Sequence, residues 1–131
     1  MKLTAKVRLA PTHDQAKSLL YTLAAANECC DWISKRAWES GTFRQFDLHR
    51  IVYRETREKF ALSAQVVVRC ISKVADSYKL DRNTMRTFRP TGAIAYDLRI
   101  LNWDVTGQAV SIWSVAGRLR IPFLEIGRAH V

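Results

Sequence analysis

The chain has little of what most small-protein chemistry is built on. Its three cysteines, Cys29, Cys30 and Cys70, form neither an even set nor a Cys-x-x-Cys pair. A disulfide framework and a zinc ribbon both lose their basis, and the cysteines read as buried thiols in a reducing cytoplasm. Of the three histidines, His13, His49 and His130, none is spaced with another histidine, a cysteine or a carboxylate as a metal pair. Five glycines are present but no glycine-rich phosphate loop. No apolar run approaches the ~20 residues that cross a bilayer. The start, Met-Lys-Leu-Thr-Ala-Lys, carries charge with no uninterrupted apolar core behind it, which excludes an export signal.

Acidic residues are scarce as well, and their scarcity is uneven. The chain carries 21 Lys and Arg against 12 Asp and Glu, a net charge of +9, and an isoelectric point near 9.9. Such a balance favours a polyanion as partner. Residues 1–11 hold Lys2, Lys6 and Arg8 with no acid, the densest positive stretch, whereas residues 12–80 spread 11 bases over 8 acids. From Asp81 to Leu124 the bases are six arginines, against three aspartates. With 131 residues, 48% apolar and 25% charged, the chain suits one compact domain or two small interleaved layers and is not disordered.

Periodicity gives the elements. Leu3, Ala5, Val7 and Leu9 alternate with Lys2, Thr4, Lys6 and Arg8, a strand with one apolar and one cationic face, stopped by Pro11. Thr12 with Gln15 forms a capping box. Ala16, Leu19, Leu20, Leu23, Asn27, Cys30, Ile33 or Ser34, and Ala37 then recur at helical spacing until Gly41, predicting one long, two-sided helix. A second helix is expected from about Asp47, with Leu48, Ile51, Val52 and Glu55 inward and Phe60 closing it. Ser63 caps a third, with the stripe Val67, Cys70, Ile71, Val74 and Tyr78. Three such helices bury one another as a small bundle. After Leu80 the period becomes two: Ile94, Tyr96, Leu98 and Ile100; then Val110, Ile112 and Ser114; then Leu119, Ile121 and Phe123. This predicts an antiparallel meander. The first strand, left with unpaired backbone groups, is its natural fourth member. The expected fold is α+β, a small antiparallel β-barrel assembled from both chain ends and interrupted by an inserted three-helix lobe.

Residues suited to catalysis are few. Asp97 and Asp104 flank a strand end, where a pair of carboxylates can hold Mg²⁺ but more often serves a solvated turn, and a small enzyme built on His49 or Asp97 is the least supported function. Binding residues are better represented. Arg82, Arg86 and Arg89 surround Phe88 between the helices and the sheet, where guanidinium groups grip phosphates and a ring stacks on a base. Gln65, Arg69 and Lys73 recur every four residues opposite the third helix's apolar stripe, and His49, Tyr53 and Arg57 do so on the second. Arg118 and Arg120 share one strand face, with Leu119, Ile121 and Phe123 on the other. With Lys2, Lys6 and Arg8 these are the candidate nucleic-acid-binding positions. Trp103 and Trp113 suit core packing better than stacking on bases.

The run Phe88-Arg-Pro-Thr-Gly-Ala-Ile-Ala-Tyr-Asp-Leu-Arg-Ile-Leu-Asn-Trp103, with Val110-Ser-Ile-Trp113 and Gly117-Arg-Leu-Arg-Ile-Pro122, resembles the N-terminal region of the OrfB/TnpB family encoded by bacterial insertion sequences. The opening Lys-Leu-Thr-Ala-Lys-Val-Arg-Leu-Ala-Pro-Thr with Gln15, and Leu62-Ser-Ala-Gln65 leading to Lys73-Val-Ala-Asp76, are similar in the same way, so the likeness covers nearly all of residues 1–124. It implies the front part of a bacterial, transposase-associated, RNA-guided DNA endonuclease related to type V CRISPR effectors. In that family a wedge-like β-barrel is interrupted by a helical recognition lobe. Guide RNA and target DNA are the implied partners. Cleavage belongs to a RuvC-like domain downstream, with its Mg²⁺ and zinc, so neither cofactor nor catalytic residue is expected in this chain.

The implied organisation is a first barrel strand at 1–11, a helical recognition lobe at 12–80, and a linker with the remaining barrel strands at 81–124. Residues 125–131, Glu-Ile-Gly-Arg-Ala-His-Val, look like a translated adapter and are set aside from the fold; without Glu125 and Arg128 the net charge stays +9. The rival expectation is a freestanding helical protein-interaction module, marked by a contiguous apolar patch and indifference to RNA.

Overall fold

A computed structural model describes residues 3–130, with side chains for 6–124; Lys2 lies outside the described residues. The element order is β1 (Leu3–Leu9), α1 (His13–Ser40), α2 (Gln45–Lys59), α3 (Ala64–Leu80), β2 (Leu101–Asp104), β3 (Ala109–Ser114) and β4 (Gly117–His130). The class is α+β, with three helices and a four-stranded antiparallel sheet of order β1-β4-β3-β2. The two ends of the chain therefore meet in one sheet.

Each helix starts where a side chain satisfies its orphan amides. At α1 the Thr12 N–H donates to Gln15 Oε1 at 3.0 Å and the Gln15 N–H to Thr12 Oγ1 at 3.2 Å, the reciprocal pair the sequence announced. Gly41, at φ 66°, ends it in the left-handed region. At α3 the Ser63 hydroxyl accepts from the Val66 N–H at 3.3 Å, and Val67, Cys70, Ile71, Val74 and Tyr78 are all buried. Two expectations need correction. Leu20 is exposed although it falls in the periodic stripe of α1. In α2, which begins at Gln45, the buried line is Leu48, Val52 and Thr56; Ile51 and Glu55 are exposed. Thr56 tolerates burial because its hydroxyl donates to the Val52 carbonyl at 2.6 Å, while Glu55 reaches Arg36 of α1 at 3.2 Å.

α1 from Leu20 onward, α2 and α3 form one compact unit, Leu20–Tyr96. Cys29, Cys30 and Cys70 are free and buried within it. The Cys70 thiol lies 3.5 Å from the Ala26 carbonyl and the Ser34 hydroxyl 2.9 Å from that of Tyr78, tying α1 to α3. Trp32 meets Phe60 edge-on at 6.1 Å, tying α1 to the end of α2.

The sheet, with the chain through Leu19 and from Asp97 onward, forms the other unit. The expected strand from Ile94 to Ile100 is not there; pairing starts at Leu101. Asp97 accounts for the displacement. Its carbonyl accepts from Ile100 and Leu101 N–H at 3.1 and 2.9 Å, and its carboxylate from Arg99 N–H at 2.9 Å, closing a turn over the alternating residues. Further on, Gly117 at φ 108° turns β3 into β4. β4 is shared between two neighbours. Pro122 accepts from Ala10 N–H at 2.8 Å on the β1 edge, and Phe123 donates to the Gln108 carbonyl at 2.9 Å on the other. Through Pro122 it pairs with β3; from Phe123 to His130 it pairs with β1, with one extra residue, Ile126, opposite the step from Lys6 to Val7. Residues 125–130, set aside in the sequence, thus continue the strand. Val110, Ile121 and Phe123 are buried with Val7, Leu9, Leu19, Ile112 and Leu119 packed against them. Among the described residues no helix is long and apolar enough to cross a membrane.

Candidate nucleic-acid interface

In the sheet unit, strand alternation decides what faces the solvent. Leu119, Ile121 and Phe123 point into the core, so Arg118, Arg120 and Leu124 share the opposite face of β4. Arg8 pairs with Leu124 in the register and is exposed, as is Lys6 two residues before it. Lys6, Arg8, Arg118 and Arg120 therefore occupy one face of two hydrogen-bonded neighbours. From Arg118 to Leu124 the strip runs about 20 Å along β4 at about 3.3 Å per residue.

The two arginines of β4 differ electrostatically. Arg120 is paired with Asp104 across the sheet at 2.7 Å. The Gly107 N–H, and then Arg120, hold the Asp104 carboxyl below its ordinary range. Arg118 is held by neutral acceptors: Ser111 Oγ at 2.8 Å, the Arg99 carbonyl at 3.2 Å, and Asn102 Oδ1. Its position is fixed, and among the described residues no carboxylate pairs with it, which makes it a preorganised contact for an anion. Behind the strip, Gln15 donates from Nε2 to the Arg120 carbonyl at 3.1 Å. The capping glutamine of α1 thereby satisfies the β4 edge just past the last β1 pairing.

In the helical unit the polar rows have work other than facing water. The segment from Arg86 to Ala95 has no regular structure, and side chains of α1 and α3 satisfy its backbone. The buried Asn27 amide donates to the carbonyls of Pro90 and Gly92 at 3.2 and 2.9 Å. Asp31 accepts from Phe88 N–H at 2.8 Å and Ser34 donates to the Arg86 carbonyl at 2.5 Å. Arg69 Nε donates to Ala95 at 3.2 Å; Lys73 Nζ donates to Ala93 at 2.8 Å and to Asn27 Oδ1 at 2.7 Å. Arg69 and Lys73 thus serve as fasteners of this strap, with Gln65 half-buried one turn earlier. Phe88 is half-buried, its ring 5.2 Å below the Lys73 ammonium. Asn27, Asp31 and Ser34 are anchors that the sequence pattern does not single out, although Asn27 and Ser34 are polar residues inside an apolar stripe, where a buried hydrogen bond is the usual reason.

The three arginines of the 82–89 stretch have separate neighbours. Arg82 lies 5.7 Å over the Phe43 ring, Arg86 is 3.6 Å from Asp81, and Arg89 is exposed. Hydrogen bonds from Asn83 N–H and the Thr84 hydroxyl, then Arg86, hold the Asp81 carboxyl below its usual range. On α2 the expected row forms, His49 stacked on Tyr53 at 4.6 Å and Arg57 donating to the Tyr53 hydroxyl at 3.2 Å. Trp103 contacts Phe123 edge-on at 5.3 Å and keeps 48% of its surface exposed. Asp97 and Asp104 serve turns, and among the described residues no cluster of three metal-ligating side chains occurs. No family model, curated protein or solved structure matches the chain.

Proposed function

We propose that the chain is the nucleic-acid-holding N-terminal region of a TnpB-like, RNA-guided DNA endonuclease, with guide RNA as its principal partner and the guide–target duplex as its second. The observation that carries it is the cationic face shared by β1 and β4, where Lys6, Arg8, Arg118 and Arg120 sit opposite a packed apolar core. Closure of the sheet into a wedge-like barrel, with the helices as recognition lobe, belongs to the same proposal. In such a complex base pairing reads sequence and the protein reads shape and charge, so contacts to phosphate dominate. The chain holds the polyanion; cleavage, with its Mg²⁺, falls to a RuvC-like domain downstream.

The test is binding of the 131-residue chain to labelled single-stranded RNA across a salt series. The logarithm of affinity should fall linearly with the logarithm of salt, by about 0.7 per phosphate neutralised. The combined Lys6→Ala, Arg8→Ala, Arg118→Ala variant should flatten that slope by about 2. Affinity indifferent to salt, or no binding, overturns the proposal and leaves a protein-interaction module as the better account. Reading the gene's DNA beyond codon 124 tests the family assignment separately: continuation into an acidic nuclease core supports it, and a native stop codon there removes it.

A further inference from the structure

Within the helical unit, the corner between α1 and α2 and the end of α3 form a cleft of about 390 Å³ lined by Phe43, Arg44, Gln45, Phe46, Lys79 and Arg82. Three cations and two phenyl rings line it, and no carboxylate does. The rings have different situations. Phe43 is packed against Tyr78 at 4.6 Å and lies under the Arg82 guanidinium at 5.7 Å, so the ring is braced and orients a cation. Phe46 is 75% exposed. A phenylalanine in the first turn of a helix, with most of its surface in water beside three cations, contributes little to the core and is available to a flat apolar partner.

The backbone adds donors. Arg44 is the N-cap of α2 in an extended conformation (φ −77°, ψ 138°) and its side chain makes no capping bond. The first intrahelical bond runs from Leu48 N–H to Arg44, so the amides before it lie at the helix end, where the dipole favours an anion. Two acids lie near: Asp76 pairs with Lys79 at 3.3 Å, and Asp47 lines the adjoining hollow shared with Phe43, Arg44 and Arg82.

We infer that this cleft holds one unpaired nucleotide of single-stranded RNA, its base stacked on Phe46 and its phosphate between Arg44, Lys79 and Arg82. Phe43 positions Arg82 for that contact. The size fits a small-ligand pocket at the low end of the usual range. The pairing of a ring with clustered cations is what single-strand binding requires, since every base has a face and every nucleotide a phosphate. A duplex offers only phosphates here, because its bases are already stacked on one another. The identity of the ligand rests on the nucleic-acid reading above; the geometry rests on the cleft alone.

The experiment compares the intact chain with Phe46→Ala, Phe46→Tyr and Arg82→Ala, using fluorescein-labelled oligouridine and a blunt RNA duplex as probes in anisotropy titrations. Phe46 is exposed, so circular dichroism should show unchanged folding. Phe46→Ala should weaken oligouridine binding by about tenfold with an unchanged salt slope. Phe46→Tyr should restore it, and duplex affinity should not move in either variant. Arg82→Ala should reduce the oligouridine salt slope by about 0.7. If oligouridine binds with the expected salt dependence but Phe46→Ala leaves its affinity unchanged, or weakens duplex equally, the cleft inference fails and the sheet-face proposal stands. If the chain binds neither probe, the sheet-face proposal fails and the cleft inference falls with it.

Discussion

The Asn27 side chain is buried on α1 and uses both ends of its amide: its oxygen accepts from Lys73, and its nitrogen donates to Pro90, Gly92 and its own helix at Leu23. Truncation would leave two strap carbonyls without their donor and Lys73 with one acceptor fewer, and an unsatisfied buried group costs about 1–3 kcal/mol. Asn27→Ala should therefore lower stability by about 2–3 kcal/mol, read as a shift of the urea midpoint at constant slope. An unshifted midpoint would mean the strap is held without it. Cysteine behaves in the opposite sense, as an inert group. The neighbouring Cys70, then burial, pushes the Cys30 thiol up, and the neighbouring Cys29 chiefly raises Cys70. The thiolate is the reactive form, so these thiols should ignore an aromatic disulfide reagent near neutral pH until the chain is unfolded, and then react together. Fast labelling of the folded chain would contradict their burial. That the cysteines are interior was legible from their number and spacing, and that Asn27 lies on the inner face of α1 was legible from its place in the stripe. Its partners were not, because Pro90 and Gly92 are 63 and 65 residues away and no local pattern links them.

Whole elements were legible where their signals are local. The Thr12–Gln15 box, the Ser63 cap, the Gly41 exit and the stripe of α3 each depend on residues within a turn or two, and each stands in the structure. β2 was displaced because alternation continues through residues 94–100 whether or not a partner strand is there to pair with them, and Asp97 closes its turn first. The β2–β3 hairpin makes a prediction of its own. Asp104 binds the Gly107 N–H at 3.0 Å and Arg120 at 2.7 Å, and its carboxyl lies below the ordinary 3.8. A carboxyl depressed by folding stabilises fully above its unfolded value, and that contribution disappears as pH falls through the lower folded value. The melting temperature of the intact chain should thus fall below about pH 4 more steeply than that of Asp104→Asn, the difference isolating this group from Asp81, which titrates in the same direction. Parallel curves would show that the hairpin does not depend on the charge. Gly107 is part of the same device. A Cβ there would lie 2.5 Å from Asp104 Oδ2 and 2.6 Å from Arg120 Nη2, so Gly107→Ala should break the pair and mimic Asp104→Asn at neutral pH.

At the scale of the molecule, the joining of both chain ends was legible because a lone cationic strand cannot leave its backbone unpaired, and β1 does pair with β4. The share of the candidate site visible in the sequence follows the same division. The sheet cations were visible from two-residue alternation, whereas the cleft around Phe46 was not, since Phe43, Arg44 and Phe46 meet Lys79 and Arg82 only through the packing of helices. The long separation of β1 from its partner also dictates how the unit should fail. Val7 and Leu9 cover Val110, Ile121 and Phe123, and fully burying one such side chain is worth about 1.5–3 kcal/mol. Losing both, together with the ladder from Phe123 to His130, removes an amount comparable to the whole stability of a small unit. The helical unit, Leu20–Tyr96, keeps its own core. Hydrogen exchange followed by mass spectrometry should then show, for a chain lacking residues 1–11, amides of β3 and β4 exchanging as in an unfolded peptide while those of α2 and α3 keep their protection. Protection retained across β3 and β4 would mean that the sheet stands without its first strand, and the cationic face would then rest on Arg118 and Arg120 alone.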